Sequence, residues 1–135
     1  MLYMTEEKKK IAVALVEDDD EIRSMLEILI DRSPGFSCKL VFNNCEDAME
    51  PLKKHLPDVV LMDVGLPGMN GWELAAWFKT VSKPPILIAI TGSGQKEDYK
   101  RSEEAGIHFH LVKPVDVAII LDLLKGLVKT VARKK

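Results

Sequence analysis

The 135-residue chain has little cysteine, almost no net charge and no long apolar run, and each shortage excludes a class of protein. Two cysteines, Cys38 and Cys45, are too few for a disulfide scaffold. Neither has His or Cys neighbours at ligand spacing, so they read as ordinary buried or half-buried thiols and not as a metal site. Lys plus Arg number 19 and Asp plus Glu 21, a formal net charge of -2. That balance argues against a nucleic-acid binder working by bulk charge. No apolar run approaches the ~18–20 residues that span a bilayer. The apolar start at residues 1–4 passes into Thr5 and then Glu and Lys, which leaves no signal-peptide core and predicts a cytoplasmic protein with no membrane partner. No repeat and no low-complexity block occurs. What is present, 47% hydrophobic and 30% charged residues, suits one folded domain. A chain of this length hides roughly 65–70% of its unfolded surface on folding.

Short apolar runs alternate with longer amphipathic ones. Ile11-Ala-Val-Ala-Leu-Val16 is apolar throughout, as a strand buried on both faces requires. Residues 20–33 place Ile22, Met25, Leu26, Leu29 and Ile30 at helical spacing, and Ser33-Pro-Gly35 stops that helix. A second strand is expected over 37–42, and Asn44 caps a helix reaching about His55. Val59-Val-Leu-Met62 is a third strand closed by Asp63. The turn-rich loop 65–71 leads to a helix over 72–81, ended by Pro84-Pro85. A strand at 86–90, a polar helix at 95–105 and a strand at 109–112 follow. Lys113-Pro114 breaks the last strand, and Asp116 caps a final helix running to about Arg133. Five βα units in a row predict one α/β domain: a parallel sheet with helices on both faces.

Ligands of such sheets sit beyond the carboxyl ends of the strands. Those ends carry Glu17-Asp-Asp-Asp-Glu21, Asp63, Thr91 and Lys113. Taken singly, each has an ordinary reading: acidic residues favour a helix's first turn, Asp63 can cap a loop, Thr91 can sit in a turn and Lys113 can be solvated. All of them at one edge of one sheet make a carboxylate cluster with a hydroxyl and an ammonium beside it. Crowded carboxylates need a cation to stay ionised. An oxygen-only donor set suits Mg²⁺. Such a site favours phosphoryl transfer, with a carboxylate as acceptor. Asp63 is the best acceptor, because it stands alone at the end of an apolar strand.

The same residues resemble the response-regulator receiver domain of two-component signalling. The resemblance lies in Leu15-Val-Glu-Asp-Asp-Asp-Glu-Ile-Arg23, in Leu61-Met-Asp-Val-Gly-Leu-Pro-Gly-Met-Asn-Gly71, in Thr91-Gly92 and in His110-Leu-Val-Lys-Pro114. It divides the chain into an extension at 1–9, a receiver domain at 10–132 and a basic tail at 133–135. It implies a single doubly wound (βα)5 sheet with flavodoxin-like strand order 2-1-3-4-5. It also implies that Asp63 is phosphorylated and that Glu17, Asp18, Asp63 and the carbonyl of Gly65 hold Mg²⁺. Lys113 would pair with the phosphoryl group, Thr91 would hydrogen-bond to it, and Pro114 would follow a cis peptide bond. The acidic pair can also be read one residue later, as Asp18 and Asp19; the spacing to Arg23 favours Glu17 and Asp18. A receiver is a signalling switch that catalyses only its own phosphorylation and dephosphorylation. Its implied partners are a histidine kinase or histidine phosphotransfer protein and a downstream protein target, with no direct contact to nucleic acid.

Two features depart from the family or extend it. His110 stands where the family usually has an aromatic switch residue. It reads either as a sheet-end histidine or as a pH-sensitive switch. Gly65 and Ser93, two residues after Asp63 and Thr91, are small enough for water to approach the phosphoryl position. The stretches around Thr91 and Lys113 look most like receivers of hybrid sensor kinases. In the last helix, Val117, Ile120, Leu121, Leu124, Leu127, Val128 and Val131 form the expected core stripe, with Ile119 nearly opposite it. Ile119 reads as an ordinary exposed residue or as part of a partner or homodimer patch on the face of the fourth helix, fifth strand and last helix. Trp72 and Trp77 read as packing anchors. A scaffold that works without phosphorylation stays open as a second class, although it would need none of the five polar residues. A hydrolase is disfavoured, since no second acid lies two residues after Asp63.

Overall fold

The computed structural model of the chain describes residues 10–65, 69–92 and 96–134, the last three by backbone alone. Ser93 and the centre of the 65–71 loop therefore lie outside the described residues, as do residues 1–9 and Lys135. In chain order the elements are β1 (Ile11–Val16), α1 (Asp20–Arg32), β2 (Phe36–Phe42), α2 (Cys45–Lys54), β3 (Val59–Asp63), α3 (Gly71–Phe78), β4 (Ile86–Thr91), α4 (Lys96–Glu104), β5 (Phe109–Val112), α5 (Val117–Gly126) and α6 (Val128–Lys134). The five strands form one sheet in the order β2-β1-β3-β4-β5. Every pairing is parallel. The expected α/β architecture and strand order both hold.

The apolar runs are continuous because the sheet has a core on each side. Side chains of a strand alternate between faces. Ile11, Val13 and Leu15 of β1, Val59 and Leu61 of β3, and Ile86, Ile88 and Ile90 of β4 enter one core. There they meet Leu26 and Ile30 of α1 and Ile120 and Leu124 of α5. The alternate residues Ala14, Val16, Val60, Met62, Leu87 and Ala89 enter the other core, against Ala48 and Leu52 of α2 and Leu74, Ala75 and Phe78 of α3. Polar residues set the helix starts. Asp19, Asn44 and Asp116 each accept a hydrogen bond from a backbone N–H of the first turn, at 3.0, 2.7 and 2.9 Å. Asn70 and Glu73 form a reciprocal capping box at α3, which starts that helix one residue before the expected position. Gly35 takes φ +89 in the turn before β2, a conformation that favours glycine.

Two expectations are corrected near the C-terminus. The final helix is not continuous: Gly126 ends α5, and Leu127 donates its backbone N–H to Leu124 O at 3.0 Å, tightening the chain before α6. As a result Val128, expected in the core stripe, is 43% exposed, while Leu127 and Val131 remain buried. Cys38 and Cys45 are buried and free, and burial pushes both thiols up to about 12. Trp72 and Trp77 pack against the second core, as packing anchors do. Among the described residues no helix is long and apolar enough to cross a membrane.

The two-core arrangement makes Leu61, fully buried at the centre of the sheet, costly to truncate. Leu61→Ala should cost about 2–5 kcal/mol in urea unfolding. Ile119→Ala, at a residue 55% exposed, should change stability by less than about 0.5 kcal/mol.

Candidate functional site

The parallel sheet brings the ends of β1, β3, β4 and β5 to one edge, and the polar residues expected there do converge. Asp63, the last residue of β3, is 7% exposed. Its Oδ2 accepts a hydrogen bond from Lys113 Nζ at 2.7 Å, and its Oδ1 accepts one from the Gly65 backbone N–H at 2.8 Å. Glu17, just past β1, is 1% exposed. Its Oε2 accepts from Asp19 N at 3.1 Å. Its Oε1 lies 3.5 Å from Lys113 Nζ and has no hydrogen-bond partner. Asp18 is exposed at the rim. One oxygen each from Glu17, Asp18 and Asp63 lie within 4.8 Å of one another. Asp19, of the later pair, lies outside this grouping and caps α1.

Thr91 is 5% exposed at the end of β4. Its carbonyl accepts the Lys113 backbone N–H at 2.7 Å, which fixes the root of the lysine beside the aspartate. Lys113 leads into a cis bond to Pro114. Behind Asp63, Val64 N donates to Ile90 O at 3.1 Å, and Gly71 N to Val64 O at 3.3 Å. A Cβ at Gly71 would come within 2.7 Å of the Val64 Cα, so only glycine lets α3 start this close to the end of β3. At Gly65 a Cβ would lie 3.5 Å from Asp63 Oδ1, an ordinary contact distance.

The electrostatics follow from burial. Loss of water around Glu17 raises its pKa from 4.5 to about 7, with the negative charge of Asp63 adding to the rise. Burial alone would lower the pKa of Lys113. The hydrogen bond and charge of Asp63, with the charge of Glu17, hold it above its ordinary value instead. The ammonium therefore stays charged and compensates the cluster only partly: one cation faces three carboxyl groups. The buried, unpartnered Glu17 Oε1 and the all-oxygen donor set fit a small hard cation such as Mg²⁺.

His110 sits apart from this cluster. It is half-buried on β5, with Nδ1 2.8 Å from Ser102 Oγ of α4 and its ring centroid 4.2 Å from that of Tyr99. Ser102, which is 2% exposed, also accepts the Trp72 indole N–H at 2.9 Å. Sequence reasoning passed over Ser102, since a serine in a polar helix gives no signal of burial. It used Arg23 only as a spacing marker, although its guanidinium donates to the Glu17 carbonyl at 2.9 Å.

The family model described as "Response regulator receiver domain" matches residues 13–125. The chain belongs to the response-regulator receiver domain family. The polar-differentiation response regulator DivK of Brucella anthropi is 30% identical over 118 residues, covering 85% of this chain and 94% of that protein. A protein-glutamate methylesterase/protein-glutamine glutaminase of Paramagnetospirillum magneticum is 36% identical over 86 residues, covering 64% of this chain. The match spans only 24% of that enzyme. In fold, the chain superimposes on a CheY-like receiver domain protein from Methanospirillum hungatei with TM-score 0.85 at 20% identity, over 94% of this chain and all of the other.

The raised pKa of Glu17 fixes a pH dependence. The folded state holds the Glu17 proton more tightly than the unfolded chain does. Its stabilising contribution is therefore complete below about 4.5 and is lost as pH rises through about 7. In chelator, the urea midpoint should fall across this window, and Glu17→Gln should flatten that fall relative to the native chain. An equal slope in both proteins would contradict the assignment.

Proposed function

We propose that this receiver domain is a phosphoacceptor switch in which Asp63 takes a phosphoryl group from phosphohistidine. The observation that carries this reading is the Asp63 carboxylate: nearly buried at the end of an apolar strand, and pinned by Lys113 and the Gly65 N–H. An Asp63 oxygen attacks phosphorus, the P–N bond to the donor imidazole breaks with its electron pair staying on nitrogen, and an acyl phosphate forms on Asp63. Lys113 offsets the charge of the phosphoryl oxygens, and the Thr91 hydroxyl hydrogen-bonds to one of them. Glu17, Asp18, Asp63 and the Gly65 carbonyl would hold Mg²⁺. That ion, when bound, neutralises charge among the acids and on the transferring group. The glycine at 65 leaves room for the water that later hydrolyses the acyl phosphate.

The donor is a histidine kinase or a histidine phosphotransfer protein in the cytoplasm. The group adds roughly -2 charge beside Thr91 and Lys113. Both residues draw toward it, and the shift reaches the face of α4, β5 and α5 through β4 and β5. His110 stands on that face as the switch residue, and Tyr99 and Ile119, 44% and 55% exposed, offer its apolar contacts. A downstream protein or a second copy of the chain binds there.

Intact-mass spectrometry after incubation with acetyl phosphate tests the chemistry. The native chain should gain one phosphoryl mass in Mg²⁺, and none in chelator or as Asp63→Asn. Absence of the added mass, together with no binding of beryllofluoride, would overturn the switch reading in favour of a phosphorylation-independent scaffold.

A further inference from the structure

We infer that Arg23 is a positioning residue for the acidic pair: its guanidinium fixes the Glu17–Asp18 backbone so that both carboxylates face a divalent cation. The inference deepens the Mg²⁺ reading of the site and rests on it. The chain leaves the sheet directly after Val16, with the Glu17 N–H still bonded to Phe42 O at 3.0 Å. Among the described residues, no other backbone hydrogen bond ties the Glu17–Asp18 peptide to the sheet. Arg23 Nη1 takes the Glu17 carbonyl at 2.9 Å and reaches toward the Asp18 carbonyl at 3.5 Å. The other arm, Nη2, pairs with the Asp20 carboxylate. The Arg23 side chain is only 19% exposed, while that of Asp20 is 85% exposed, so the arginine lies against the loop instead of extending into water.

The fork matters more than the charge. Paired with Asp20, Arg23 adds little net field to oppose an incoming cation. A planar guanidinium bonds a carbonyl and a carboxylate in one fixed plane, which a single ammonium does not reproduce. Holding the Glu17 carbonyl sets the direction of the next peptide, and with it the position of the Asp18 side chain relative to Glu17 and Asp63. Groups that orient metal ligands in this way change metal affinity by about 10–100-fold when removed.

The test is a Mg²⁺ titration of the full chain followed by amide NMR shifts at Asp18 and Asp63, on the native protein, Arg23→Lys and Arg23→Met. Near-UV circular dichroism checks that each variant is folded. Both variants should bind Mg²⁺ about 10-fold more weakly, although Arg23→Lys keeps the charge. Tighter binding by Arg23→Met, or native affinity in Arg23→Lys, would show that the residue acts by charge or only on stability, and would overturn the inference while leaving the Mg²⁺ site standing. A native chain whose amides ignore Mg²⁺ would overturn both.

Discussion

Three carboxylates gathered at one edge of a parallel sheet repel each other, and one ammonium is not enough to balance them. Asp18 escapes part of the conflict at the rim, where water screens it. Glu17 and Asp63 cannot, because they are 1% and 7% exposed. Lys113 gives its short contact to Asp63 and stands farther from Glu17. Burial, with the charge of Asp63 adding to it, raises the pKa of Glu17 to about 7, so the metal-free site holds a proton there more readily than a solvated carboxylate does. An arrangement so unfavourable to its own carboxylates makes physical sense as a binding site held ready for a cation and a phosphoryl group.

The rest of the fold maintains that arrangement. Two cores clamp the sheet from both faces, so the strand ends cannot move apart to relieve the repulsion. Helix caps at Asp19, Asn70 and Asp116 return the chain sharply at the same edge and keep the loops short. The close approach of Gly71 to Val64 holds the end of β3 from behind, and the bond from Lys113 N to Thr91 O ties the lysine to the neighbouring strand. Structural rigidity and local electrostatic strain are thus paired. The hydrophobic burial of the sheet offsets the cost of crowding charges at its end.

The sheet and its charged edge were legible in the sequence for a simple reason. Strands buried on both faces read as unbroken apolar runs, and an acidic run, a lone aspartate and a Lys-Pro pair stand out at the ends of β1, β3 and β5. Starts shifted by at most one residue, as where the Asn70–Glu73 box begins α3 at Gly71, and the end of α3 by three. The break at Gly126 was not legible, since the apolar residues keep helical spacing on both sides of it. Val128 was therefore misplaced into the core. Ser102 and Arg23 were missed because their roles depend on contacts between elements: a hydroxyl shared by Trp72 and His110, and a guanidinium turned back onto a carbonyl. No periodicity encodes such contacts.

The most direct measurement of the central claim is the titration of the Glu17 carboxyl carbon by NMR, with and without saturating Mg²⁺. The metal-free protein should show a midpoint near 7, and Mg²⁺ should drive it below the ordinary carboxylate range. A midpoint near 4.5 without metal, or one that Mg²⁺ leaves unmoved, would contradict the account of a crowded acidic site held for a cation.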